Sequence, residues 1–467
     1  MTVTEQIVSV APADGRVLGS VELSSPRDVM SAVARARGAQ GEWSARGAVN
    51  RAARVIELGR LIGEAAPGLS ELVAQEVGKP IVEARGEVAR AAQICAYYGG
   101  VAYELGGIAR RSIDPQVMLL SRQVPVGVAG VITPWNFPVA IPAWKIVPAL
   151  AAGCAVVWKP APEAALCAER FFALARDAGI PEDVLALVHG DAEAGGALVD
   201  GEIDALSFTG STVVGRTLQR RAGGRGLRLT VELGGVNVAH VFGDANVVRA
   251  ATDVANAAFG YAGQKCTATQ VVAVASELAD SFAATLGMQT LGVTVGDPLD
   301  ASTVCGPVIN EDTAARLNES IDASSAEYRV LARGDTPEGP AFVPPVLLRD
   351  EERTSSLLQE ELFGPVCVLT STRSLDDHAE IAATSGAGLA AAIYGHDADA
   401  IRRMLNICGA GVVGVNRPST GLDPNVPFGG WGSSGGNFSE LGLEGLRFYL
   451  KWQSVYWRGE GEGVAFP

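Results

Sequence analysis

Apolar and polar positions change period three times along this chain. Residues 1–27 read as a short strand pair turning at Ala13-Asp14-Gly15-Arg16, where Asp-Gly favours a tight turn. From Ser25 the period becomes helical. Ser25 is placed to cap, and Val29, Ala32, Val33 and Ala36 form one apolar stripe. Further helices are predicted over 49–65, over 69–77 (stopped by Gly78-Lys79-Pro80) and over 82–105. Residues 118–124 and 127–132 then read as strands, the first with no helix pattern to cover it.

From residue 127 the alternation is regular. Strands at 127–132, 155–158, 184–188, 205–208 and 228–232 are separated by helices through 143–151, 163–178, 192–199 and 212–221. Strands divided by helices of ten to fifteen residues predict βαβ units, hence an α/β fold with a doubly wound parallel sheet. Such sheets bind ligands at the carboxyl ends of their strands. After Asn237 a second α/β region follows: a helix over 247–258, a strand at 271–275, a helix to 286, and strands near 366–369, 389–394 and 412–415. Residues 446–450 and 454–457 again read as strands.

Composition narrows the function. The 467 residues are 48% hydrophobic and 19% charged, which suits two or three globular domains. A net charge of −15 argues against nucleic-acid binding, which needs a basic face. The seven cysteines are scattered without a CxxC pair, and the four histidines have no metal-ligand spacing. Neither a disulfide framework nor a metal site is expected, and a reducing cytoplasm is the expected location. Residues 1–10 lack a basic start and a long apolar core, so no signal peptide is expected. The apolar run 139–158 is broken by Lys145, Pro142 and Pro148 and reads as buried helix and strand, so no membrane partner is expected.

Candidate chemistry sits at the ends of these strands. Cys266 lies in Gly263-Gln264-Lys265-Cys266-Thr267, a run of small and polar residues that suits a nucleophile on a turn better than a core thiol. Lys265 precedes it, but a neighbour in sequence need not point at the sulfur. Asn136 stands on the proline-flanked turn Thr133-Pro134-Trp135-Asn136-Phe137-Pro138, as an oxyanion donor or the side chain of an Asx-turn. Lys159 ends an apolar strand, where a dinucleotide ribose or phosphate would lie. Phe208-Thr209-Gly210-Ser211 opens a helix whose N-terminus suits pyrophosphate. Glu232, followed by Leu233-Gly234-Gly235, is a carboxylate in an apolar strand and a candidate general base. Glu361 precedes Leu362-Phe363-Gly364-Pro365 at a tight turn. The literal G-x-G-x-x-G at 409–414 runs into a strand, not out of one, and no pyrophosphate is expected there.

Together, Trp135-Asn136-Phe137-Pro138, Glu232-Leu233-Gly234-Gly235, Gly263-Gln264-Lys265-Cys266 and Glu361-Leu362-Phe363-Gly364-Pro365, in this order, resemble the NAD(P)-dependent aldehyde dehydrogenase superfamily. The resemblance runs from Pro12-Ala13-Asp14-Gly15 through Gly78-Lys79-Pro80 to Pro427-Phe428-Gly429-Gly430. It implies a dinucleotide-binding domain over 1–112 and 134–235, a catalytic domain over 236–440, and β oligomerisation segments at 113–133 and 441–467 that make a homodimer or homotetramer. Cys266 would be the nucleophile, Asn136 the oxyanion donor and Glu232 the base that activates the hydrolytic water. Trp135, Lys159, Phe208, Gly210, Ser211, Leu233, Glu361 and Phe363 would hold the cofactor. Glu232 speaks against the subclass that forms acyl-CoA. The alternatives are a catalytically silent binding protein and a cofactor-independent cysteine esterase, which lacks a plausible histidine partner.

Three positions depart from the family. Val236 replaces the usual lysine after Glu-Leu-Gly-Gly, and 434–440 lacks an expected arginine. NAD is the expected cofactor, but Pro162 stands where an acid would hydrogen-bond the ribose 2′-hydroxyl and repel a 2′-phosphate, so NADP is not excluded. Tyr98, Trp144, Tyr261, Phe428 and Trp431 are candidate aromatic walls for a small aldehyde, and the Gly429–Gly435 segment is similar to that of aromatic-aldehyde members.

Overall fold

A computed structural model of the chain describes residues 5–458 except 354 and 387. The ends of the expected segments, 1–4 and 459–467, lie outside the described residues.

Two parallel sheets carry the architecture. The first has five strands in the order Leu185–Leu187, Ala155–Pro160, Val128–Thr133, Ala205–Gly210, Arg228–Leu233. Every residue of Val128–Thr133 and of Ala155–Pro160 is buried, because helices cover both faces of a parallel sheet. Chain order reverses beside Val128–Thr133: the sheet grows one way through Ala155–Pro160 and the other way through Ala205–Gly210. A crevice therefore opens past the carboxyl ends of these strands, and the chain leaves them there through Trp135-Asn136 and through Gly210-Ser211.

The second sheet has seven strands in the order Arg329–Arg333, Val346–Arg349, Val366–Thr372, Thr269–Ala275, Asn237–Val241, Ala390–Tyr394, Val412–Val415. All pairings are parallel except that of the edge strand Arg329–Arg333. Sequence patterning does not foresee Asn237–Val241, Arg329–Arg333, Val346–Arg349 or the helices Glu311–Glu327, Leu375–Thr384 and Ala398–Ile407. Strand Asn237–Val241 carries polar Asn237 and His240 in fully buried positions, which masks its period. The expected strand at 446–450 is a correction. Helix Gly442–Arg447, with Gly442, Gly445 and Leu446 buried, takes the first two of those residues, a turn follows, and strand begins only at Leu450.

A third, antiparallel sheet joins Leu450–Arg458, Val117–Pro125 and Gly107–Arg111. It takes in Gly107–Arg111, whereas Val128–Thr133 belongs to the first sheet. The Gly409–Gly414 run enters edge strand Val412–Val415, as its sequence context implies. No helix among the described residues is long and apolar enough to cross a membrane.

Candidate active site

The two sheets face each other across a cavity of 320 Å³. The switch-point turn brings Trp135 and Asn136 to it, strand Ala205–Gly210 and the helix after it bring Gly210 and Ser211, and strand Arg228–Leu233 brings Glu232 and Leu233. From the other side come Cys266, on the turn before strand Thr269–Ala275, and Glu361 and Phe363, in the loop before strand Val366–Thr372. Trp144 and Phe428 close one wall with ring centroids 5.6 Å apart.

The Cys266 turn is held by backbone geometry and by buried amides. Gly263 has φ +68, and a side chain there would meet the Gly364 carbonyl oxygen at 2.2 Å, so only glycine fits. Asn237 donates to the carbonyls of Cys266 (2.8 Å) and Ala268 (2.9 Å), and Ser419 donates to that of Thr267 (2.7 Å). Asn136 Nδ2 lies 2.9 Å from the carbonyl oxygen of Gln264, two residues before the thiol. Lys265 turns away and pairs with Glu83 at 2.9 Å.

Burial pushes the Cys266 thiol up to about 12, and the charges of Glu361 and Glu232 add to it. The thiol form therefore dominates at neutral pH, and reactivity rises with pH. Alkylation by iodoacetamide in the absence of other ligands is expected to accelerate about tenfold per pH unit through the neutral range. A pH-independent rate, followed by mass spectrometry of the Cys266 peptide, would contradict this picture.

Glu232 is buried, and burial holds its carboxyl well above the usual range, with Glu440 next in effect and Lys145 opposing. Its Oε2 accepts from the Gly430 N–H at 3.1 Å, and its Oε1 has no hydrogen-bond partner among the described residues. Behind it, Lys145 pairs with Glu440 and donates to Ser207 Oγ at 2.9 Å, which in turn donates to Glu440 at 3.1 Å. Glu361 is pushed up to about 7 by burial, opposed by the Gly235 N–H. A side chain at Gly234 would sit 2.0 Å from its carboxylate, so the bare backbone there makes room for it.

The residues fit a dinucleotide. Ser211 caps helix Thr212–Gly223, Trp135 and Phe363 meet edge to face at 5.7 Å, and Glu361 supplies a carboxylate suited to ribose hydroxyls. Phe208 lies under Gly210, packed against its Cα. Lys159 does not line the cavity. Its amine donates to the carbonyls of Pro160 (2.9 Å) and Gly190 (2.6 Å), and burial lowers it to about 8.

Three of the five aromatic candidates do not line this cavity. Tyr261 is fully buried and donates to the Val77 carbonyl, and Tyr98 is buried and donates to that of Gly442. Both serve the core, and their rings are taken up by packing. Trp431 is 59% exposed and does not line the cavity. Conversely, Ile141, Arg316 and Leu389 line it without belonging to any motif.

The family profile described as "Aldehyde dehydrogenase family" matches residues 1–455. The chain is 38% identical to an alpha-ketoglutarate semialdehyde dehydrogenase of Haloferax volcanii, over 94% of this chain and 93% of that protein. It is 35% identical to a probable succinate-semialdehyde dehydrogenase [NADP(+)] of Sinorhizobium fredii, over 94% and 89%. The crystal structure of an NAD-dependent aldehyde dehydrogenase from Sinorhizobium meliloti superposes with a TM-score of 0.93 at 31% identity, covering 99% of this chain and 93% of that one. Its sequence, its two-sheet fold and its cysteine-centred cavity agree: the chain belongs to the aldehyde dehydrogenase family, and its activity is aldehyde oxidation.

Proposed function

We propose that this chain oxidises a small semialdehyde to the carboxylic acid with NAD+, through a thiohemiacetal and then a thioester on Cys266. The observation that carries this reading is the convergence of Cys266, Asn136, Glu232 and Glu361 on one cavity. The Cys266 thiol gives its proton to water, its sulfur adds to the aldehyde carbon, and the carbonyl electron pair moves onto oxygen. The Asn136 amide, turned from Gln264, and the Cys266 N–H donate to that oxygen. The bound cofactor supplies a hydride acceptor for the aldehyde C–H. Glu232 takes a proton from water as it attacks the thioester, and the sulfur leaves. A cofactor-free cysteine esterase would draw on a histidine partner for the thiol, and none of His189, His240, His378 or His396 lines the cavity.

One feature favours NAD: the charges of Glu163 and Asp191 both act on Lys159, so a 2′-phosphate there would meet negative potential. The semialdehyde class rests on the names of the relatives. The Trp144–Phe428 pair favours aryl aldehydes as the second reading. Strand Leu450–Arg458 leaves Trp452, Tyr456 and Trp457 more than half exposed, which suits pairing of the arm across a homodimer or homotetramer.

A panel of semialdehydes, aliphatic aldehydes and aryl aldehydes, each with NAD+ and NADP+, tests the reading. The highest kcat/KM is expected for a semialdehyde with NAD+, read from absorbance of the reduced cofactor. No reduced cofactor with any aldehyde would refute the whole proposal, and a preference for aryl aldehydes would refute the substrate class alone.

A further inference from the structure

Lys79 is fully buried, yet it belongs to neither sheet and lines no part of the cavity. It follows helix Ala66–Val77 directly and pairs with Glu87, on helix Ile81–Val101. Its ammonium lies 3.6 Å from the ring centroid of Phe137 and 4.6 Å from that of Tyr261. These two rings meet edge to face at 6.5 Å. Phe137 follows Asn136 in the switch-point turn, and Tyr261, at φ +55, belongs to the backbone that leads to Cys266. One buried cation thus touches both loops that present the reacting groups.

Glu87 extends the same device. Its second oxygen accepts from the N–H groups of Val139 (2.8 Å) and Ala140 (3.0 Å), at the start of helix Ala140–Ala152. That fixes the chain three residues after Asn136. One turn earlier on the same helix, Glu83 holds Lys265, the residue before Cys266. The Tyr261 hydroxyl donates to Val77, two residues before Lys79, at 3.1 Å. Gln264 closes the ring: its carbonyl faces Asn136, and its side chain bonds Ile309 and Pro307. An apolar pair of the same volume would stabilise a fold about as well as a buried ion pair. What the charged pair adds is directional: it fixes two ring faces and one helix start around a single point.

We propose that Lys79, with Glu87, is a positioning residue for aldehyde oxidation. The pair sets the Asn136 turn against the Cys266 loop, so that the amide stands ready for the oxygen that gains charge when the sulfur adds. This rests on the oxyanion role given to Asn136 above. The Asn136 donor acts on the charged oxygen and not on the ground-state aldehyde, so its misplacement lowers kcat with KM and cofactor affinity kept.

The experiment is a double-mutant cycle of Lys79→Met and Asn136→Ala, with kcat, KM and the NAD+ dissociation constant measured for each protein. Lys79→Met is expected to lower kcat about 10- to 100-fold while KM and the dissociation constant stay within about twofold. In the Asn136→Ala background the same substitution is expected to cost no further rate, since the group it positions is gone. Wild-type kcat in Lys79→Met, or a loss that adds in full to that of Asn136→Ala, overturns the proposal. An unimpaired Asn136→Ala single variant instead refutes the oxyanion role itself, so the two failures are told apart. Should Lys79→Met not fold, Lys79→Met/Glu87→Gln removes both charges and keeps an acceptor for Val139 and Ala140, and the same outcomes decide.

Discussion

Replacing Cys266 by serine is expected to lower steady-state turnover by about four orders of magnitude or more while NAD+ still binds. The hydroxyl would occupy nearly the same place on the turn held by Asn237 and Ser419. It would lack the acidity to form an anion, and no histidine lines the cavity to take its proton. Trp135, Ser211 and Glu361 are untouched by the change, so binding of the cofactor, followed by quenching of tryptophan fluorescence, should be close to that of the wild type. Near wild-type kcat would remove Cys266 from the nucleophile's role. Loss of cofactor binding together with activity would point to a general collapse of the site.

Glu232→Gln separates the two halves of the reaction. The amide is isosteric and keeps an acceptor for the Gly430 N–H, so addition and hydride transfer should proceed once on each site. Hydrolysis of the thioester needs a base that glutamine cannot supply. The expected record in stopped flow is a burst of reduced cofactor equal to the enzyme concentration, then a steady rate lowered about 10²- to 10⁴-fold. Burial and Glu440 both raise the Glu232 carboxyl, so the protonated, inactive form persists to higher pH than for an exposed glutamate. The wild-type steady rate should therefore rise with pH as this group ionises, whereas the amplitude of the burst should stay at one reduced cofactor per site. An unchanged steady rate in the variant would move the base elsewhere.

The sequence made the first sheet legible because strand and helix periods alternate cleanly from residue 127 to 233, and Cys266, Glu232 and Asn136 because each stands beside residues that punctuate a turn. What escaped did so for physical reasons. Strand Asn237–Val241 buries Asn237, which bonds the Cys266 loop, and His240, whose Nδ1 meets His378, and no local pattern announces partners so distant in the chain. Arg316 lies on a helix whose sequence is mostly polar, and it reaches the cavity through tertiary placement alone, donating to the Leu362 carbonyl at 3.0 Å. For Tyr261 the sequence gives the distance along the chain from Cys266 and not the direction of the ring. The left-handed backbone at Tyr261 and Ala262 turns that ring into the core. Lys79 and Glu87 carry no catalytic signature at all, and their meaning appears only when the two loops they touch are seen together.

The segment Phe428–Glu440 supplies the Gly430 N–H to Glu232 and the carboxylate that neutralises Lys145, while Ser434 accepts from the Leu233 N–H. Synthesis on the ribosome runs from the N-terminus, so strand Arg228–Leu233 and the Cys266 turn emerge long before these partners do. Until Glu440 has been made and docked, Lys145 is a cation without its counter-charge and Glu232 lacks its hydrogen-bond donor. From the synthesis of Cys266 until that of Glu440 the nascent protein therefore carries its nucleophile beside an incomplete base, and competence for turnover arrives only when nearly all of the 467 residues exist.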